Sequence, residues 1–152
     1  PKRLSVKPKR YLADPSLAVA LLGMNEQALL DDWQTFGLVF ENLCMRDLMV
    51  YAGAHPDTSA VPVRYYRDDS GLEADAIVEL ADGRWAAFEF KLGAAKTDQG
   101  VASLRRLREK VTANEKARTR PPAFMAVVTG TGEYAYQPEE GIYVIPLRAL
   151  GA

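Results

Sequence analysis

The segment Phe124-Met125-Ala126-Val127-Val128-Thr129 is a short, continuous apolar run closed by Gly130. As a strand it has no polar face to turn to water, so it must be buried on both faces. That requires a sheet covered by helices above and below, and the chain has segments to supply them. From Asp32, residues Trp33, Phe36, Phe40, Leu43, Cys44, Leu48 and Tyr51 recur at spacings of three and four, which predicts an amphipathic helix to about Ala52, ended by Gly53 and Pro56. Thr97 or Asp98 caps a second helix to about Ala113, with Val101, Leu104, Leu107 and Val111 inward and Arg105, Arg106, Arg108 and Lys110 mostly outward. Tyr11 to Gly23, with Asp14-Pro15 before an apolar stretch, predicts a short capped helix.

Between the two long helices lie three strand candidates. Val61 to Arg67 is β-branched and aromatic and runs into the turn cluster Asp68-Asp69-Ser70-Gly71. Ala74 to Leu80 and Arg84 to Lys91 flank Ala81-Asp82-Gly83, a tight hairpin turn. Ile142 to Ile145 is a last strand. The order α-β-β-β-α-β, with no internal repeat, implies an α/β sandwich with a central mixed sheet flanked by helices.

At 152 residues, 48% hydrophobic and 26% charged, the chain suits one domain with its own core. One cysteine, Cys44, and one histidine, His55, exclude an intramolecular disulfide and a four-ligand Cys/His zinc site. No apolar run is long enough to span a bilayer, and Pro1 to Arg10 is no signal peptide, so a cytoplasmic protein is expected. The net charge of -1 conceals a basic start of Lys2, Arg3, Lys7, Lys9 and Arg10. Residues 1–10 are read as a linker or a remnant of an upstream domain, and 11–152 as the domain itself. A chain opening on proline is expected to be a fragment of something longer.

Strand parity puts Glu89 and Lys91 on one face and Phe88 and Phe90 on the other. In the preceding strand Glu73, Asp75, Ile77 and Glu79 are expected to share a face. A hairpin centred on Asp82 brings Asp75 beside Glu89. Glu41 lies at the margin of the first long helix's apolar stripe, where it reaches toward the sheet. Carboxylates from Asp75, Glu89 and Glu41 suit Mg²⁺ or Mn²⁺, and Lys91 would orient water or offset charge on a phosphate. An acid and a lysine two apart on a strand are equally the makings of a surface ion pair. Glu73 reads better as a solvated strand-end acid than as a ligand. Tyr65, Tyr66 and Arg67 read better as strand formers than as a nucleic-acid contact, and the basic face of the second helix better as solvated surface than as a DNA groove. Asn42 is either a support for Glu41 or a surface amide.

Asp75 followed after a hairpin by Glu89-Phe90-Lys91, behind a helix bearing Glu41, resembles the PD-(D/E)XK restriction-endonuclease-like superfamily, with Ala74 where the motif has proline. Tyr11-Leu12-Ala13-Asp14-Pro15, Gly37-Leu38-Val39-Phe40-Glu41-Asn42, Tyr66-Arg67, Glu73-Ala74-Asp75 and Phe88-Glu89-Phe90-Lys91, in that order, resemble the uncharacterised C-terminal domain of prokaryotic AAA-type ATPases. The resemblance implies a nuclease-like fold and an ATPase domain upstream of residue 1; this sequence holds no G-x-x-x-x-G-K-[ST] loop, so any ATP-dependent step is expected outside it. It also implies a metal-dependent nucleic-acid phosphodiesterase built on Glu41, Asp75, Glu89 and Lys91, with DNA or another nucleic acid as partner. The alternative is a catalytically inactive module that docks the ATPase domain or another protein, toward which a pI of about 5.9 leans.

Overall fold

The computed structural model describes residues 9–113 and 119–151. Lys2, Arg3 and Lys7 of the basic start lie outside them. The chain enters through two short helices, α1 (Ser16–Leu21) and α2 (Glu26–Asp31), and then a long one, α3 (Trp33–Ala54). Asn25 caps α2 by accepting from the Ala28 amide, and Asp32 caps α3 by accepting from the amides of Gln34 and Thr35. The last helix continues through Gly53 to Ala54 and stops where His55, held extended at ψ 132° before Pro56, can no longer follow. Trp33, which the periodicity counted into the buried stripe, is 59% exposed, while Met45 joins the core.

Strands β1 (Thr58–Arg67), β2 (Glu73–Leu80) and β3 (Trp85–Lys91) form an antiparallel meander. Helix α4 (Thr97–Ala113) crosses to β4 (Phe124–Thr129), which is parallel to β3. The hairpin of β5 (Tyr136–Glu139) and β6 (Ile142–Pro146) completes a six-stranded mixed sheet in the order β1-β2-β3-β4-β6-β5. Helix α2 and edge strand β5 escaped the sequence pattern; β5 is short and mostly exposed and contains Pro138, so no alternation marks it.

The sheet is covered on both faces. Phe40, Cys44, Met45 and Leu48 of α3 pack on Ala86, Phe88, Phe90, Ala126 and Val128. On the other face Val101, Leu104 and Leu107 of α4 pack on Ala87, Met125, Val127, Ile142 and Val144. Consecutive residues of β3 and β4 therefore serve opposite cores, as a strand buried on both faces must. Each fully buried leucine contributes about 1.5–3 kcal/mol relative to exposure.

One irregularity bears directly on the charged residues. Arg64 pairs with Ile77 and Tyr66 with Ala74, so a single β1 residue, Tyr65, faces two β2 residues, Asp75 and Ala76. This bulge breaks the alternation expected through Glu73, Asp75, Ile77 and Glu79. Its effect is visible in the cores, where Ala74 packs on the α4 side and Ala76, two residues later, on the α3 side.

Candidate functional site

Beyond the bulge, β2 and β3 pair in the register Ala76↔Phe88 to Glu79↔Trp85. Continuing that register by one residue sets Asp75 opposite Glu89, at the carboxyl end of β3 and between the two helical layers. Asp75 Oδ2 accepts from the Phe90 amide at 2.9 Å, which ties the carboxylate to the strand beside it. Lys91 Nζ lies 2.5 Å from Glu89 Oε2 and 3.8 Å from Asp75 Oδ2. Glu89 points toward α4, where the Ser103 hydroxyl donates to Oε1 at 3.0 Å.

Glu41 approaches from α3. Its Oε1 accepts from Lys9 Nζ at 2.9 Å and from the Tyr11 hydroxyl at 2.8 Å, and the same Lys9 ammonium reaches Asp75 Oδ1 at 3.3 Å. Glu41, Asp75, Glu89 and Lys91 thus form one chain of contacts, with Lys9 linking the helix to the sheet. Glu41 also borders two clefts, one of about 530 Å³ with Trp33, Phe90, Lys91 and Lys96, the other of about 560 Å³ with Tyr11, Leu22 and Leu38.

The electrostatics follow from burial. The Glu89 side chain is 7% exposed, against 14% for Asp75 and 26% for Glu41. Burial pushes the Glu89 carboxyl above its usual range and the charge of Asp75 adds to this, against the opposing pull of Lys91 and Ser103. Burial alone would lower the Lys9 ammonium, but the Glu41 hydrogen bond and the charges of Asp75 and Glu41 outweigh it and hold Lys9 well above its usual value. The Tyr11 hydroxyl is raised by burial and by donating to Glu41.

Lys9, Tyr11 and Ser103 were not singled out by sequence reasoning. Ser103 carries a recognisable signal, since Gly100 and Ser103 are small residues three apart on a strongly charged helix and mark its close approach to β3 and β4. Lys9 carries none, lying in an irregular segment.

Residues outside the cluster have other tasks. Glu73 accepts from the Tyr65 hydroxyl and pairs with Arg67 at 3.4 Å, a strand-end acid held across β1. Asn42 neither supports Glu41 nor faces water: its side chain accepts from the Leu12 amide at 2.7 Å and donates to the Leu12 carbonyl at 3.0 Å. Arg105 and Arg108 pair with Glu139, and Lys110 with Asp68. His55 Nδ1 accepts from the Asp57 amide, and Cys44 sits in the core, where burial pushes its thiol up.

Carboxylate oxygens are the donors a hard divalent cation takes, and Glu41 and Asp75 already share a cationic group between them. Among the described residues no group of three or more His, Cys, Asp or Glu is gathered closely enough to hold a metal. A cage is not what Mg²⁺ requires, because it keeps most of its waters and is held by one or two carboxylates plus substrate oxygens. By donor type, Glu41 and Asp75 are the pair such an ion would use, with water filling the remaining positions.

The fold and the cluster define an α/β domain with a mixed six-stranded sheet and a carboxylate–lysine cluster at the carboxyl end of β3. Residues 36–150 match the family described as a domain of unknown function, DUF4143, and the chain belongs to that family. No curated protein matches it in sequence. Among solved structures, a chain of the refined half-complex from the tetradecameric assembly of Thermococcus gammatolerans McrB AAA+ hexamers with bound McrC is similar at 14% identity and a TM-score of 0.45. The likeness covers 72% of this chain but only 27% of that one, and is too slight to carry an argument. Among the described residues no helix is long and apolar enough to cross a membrane.

Proposed function

We propose that this domain has the restriction-endonuclease-like arrangement, works beside an AAA-type ATPase domain, and hydrolyses phosphodiester bonds of DNA or another nucleic acid at Glu41, Asp75, Glu89 and Lys91. The observation that carries the reading is the bridge at Asp75, one oxygen of which meets the Lys9 ammonium on Glu41 while the other lies 3.8 Å from Lys91, itself paired with Glu89. Side chains from α3, β2 and β3 are thereby gathered at a sheet end, where α/β folds place their ligands. The ordered motifs from Tyr11 to Lys91 support the ATPase association.

Asp75 and Glu41 would hold Mg²⁺ or Mn²⁺ together with water and substrate oxygens. Such an ion supplies charge to offset the phosphate and lowers the pKa of water near it. The chain's own residues do the rest. Lys91, fixed by Glu89, presents N–H donors to an anionic substrate oxygen or a water. Ser103 holds Glu89 in place, and the Phe90 amide holds Asp75.

The test is incubation of wild type, Asp75→Ala and Lys91→Ala with single-stranded, duplex and branched DNA and RNA, with Mg²⁺ or Mn²⁺ and with chelator. Cleavage should need the ion and both residues, with Lys91→Ala retaining metal binding and Asp75→Ala losing it. Cleavage that persists in chelator or in Asp75→Ala refutes the assignment. A second reading, a non-catalytic docking module, is favoured by one observation: Lys9 and Lys91 already counter the three carboxylates. Absence of both cleavage and saturable metal binding in wild type selects it.

A further inference from the structure

We propose that residues 9–11 are a strap that closes the carboxylate cluster, with the Lys9 ammonium standing between Glu41 and Asp75 where a divalent cation would be held, so that strap docking and cation binding exclude each other. The inference rests on the reading of that cluster as a cation site.

The strap is anchored by specific contacts. The buried side chain of Asn42 pairs with both backbone groups of Leu12, as a neighbouring strand would, and fixes residue 12 against α3. Upstream of this anchor Tyr11 donates to Glu41 Oε1, and Lys9 reaches Glu41 Oε1 and Asp75 Oδ1. The ammonium also lies 4.6 Å from the centre of the Tyr65 ring, whose face favours a cation. Glu41 Oε1 therefore accepts two donors from the strap, and Asp75 Oδ1 accepts a third.

A lysine so placed can yield in only one way. An ammonium is ordinarily charged at neutral pH, and this one lies against two carboxylates, so it cannot make room by losing a proton. It must move. A divalent ion entering between Glu41 and Asp75 would meet a like charge at contact distance, which opposes binding by more than a decade. The Leu12–Asn42 pairing and the packing of Tyr11 on the α3 core lie outside that contact, so Lys9 can swing away while both stay in place.

Calorimetric Mn²⁺ titration of wild type, Lys9→Met, Lys110→Met and Asp75→Ala tests this, together with the Lys9 Cε signal of the wild-type protein followed by NMR during Mg²⁺ titration. Lys9→Met should bind Mn²⁺ at least about tenfold more tightly than wild type. Lys110→Met, which removes the same charge at a remote pair with Asp68, should change affinity less than about twofold. In wild type the Lys9 signal should move to the free-lysine position as Mg²⁺ saturates. Equal affinities in wild type and Lys9→Met, both lost in Asp75→Ala, overturn the strap and leave the cation site standing. An unmoved Lys9 signal at saturation, or an equal gain from Lys110→Met, also overturns the strap. Failure of wild type and Lys9→Met alike to bind overturns both.

Discussion

Gly100 sits in the first turns of α4 at its closest approach to the sheet. A Cβ built there would lie 3.0 and 3.1 Å from the two methyls of Val127 and 3.4 Å from Lys91 Cγ. Alanine is worth about 1 kcal/mol over glycine in a helix interior, so propensity alone predicts that Gly100→Ala stabilises the protein. Packing opposes it. Val127 is fully buried in a central strand, its β-branched side chain has little rotamer freedom, and an added methyl in such a core costs about 1–3 kcal/mol. The expected outcome is a net loss of about 1 kcal/mol in urea unfolding, or about 2–4 °C in Tm for a chain of this length. The double variant Gly100→Ala/Val127→Ala decides whether the cause is right, because removing the valine methyls removes the clash. Its destabilisation should fall short of the sum of the single variants by at least about 0.5 kcal/mol. Additive losses, or a single Gly100→Ala variant as stable as wild type, would refute the idea that the glycine is there to let the helix close on β4 and on the stem of Lys91.

Two further outcomes rest on the same structure. Glu89 has its carboxyl raised in the folded state, so between the ordinary glutamate range and the folded value the native protein binds more protons than the unfolded chain, and stability falls as pH rises through that window. Glu89→Gln should remove that fall, so its urea midpoint should match wild type below the glutamate range and exceed it at neutral pH; an equal offset at both would refute the titration argument. Asp32→Ala removes the acceptor for the Gln34 and Thr35 amides at the start of α3 and should cost about 1 kcal/mol in urea unfolding, whereas Asp32→Ser should retain most of that stability.

The parts of the fold legible in the sequence are those set by local rules. Asp82-Gly83 imposes a turn, with Gly83 at φ +83°, and the observed β2/β3 pairs are centred on that turn. The apolar run of β4 has one physical solution, a strand with helices on both faces, and Val101, Leu104 and Leu107 turn inward as their spacing requires. The bulge at Asp75 and Ala76 was not legible, because it arises from how β1 meets β2 across a separate turn and no residue type in either strand announces it. Parity therefore paired Asp75 with Glu89 along the hairpin but missed how the carboxylate is turned, with one oxygen toward the Phe90 amide and the other toward α3.

The same distinction explains why four members of the cluster could be named from sequence and Lys9 could not. Helix angle and strand parity are periodic, and they give a direction to Glu41, Asp75, Glu89 and Lys91. An irregular segment has no period, and Lys9 lies 32 residues from Glu41 and 66 from Asp75. A physical constraint was nonetheless present. Three carboxylates brought together at a partly buried sheet end are costly unless charge is supplied, and Lys91 supplies only one unit. Further positive charge had to come from a side chain free to reach the seam between α3 and the sheet. Three of the helix bases were committed elsewhere: Arg105 and Arg108 to Glu139, and Lys110 to Asp68. Among the described residues, Lys9 in the basic start meets that demand, and the same shortage of charge makes its position the natural place for a competing cation.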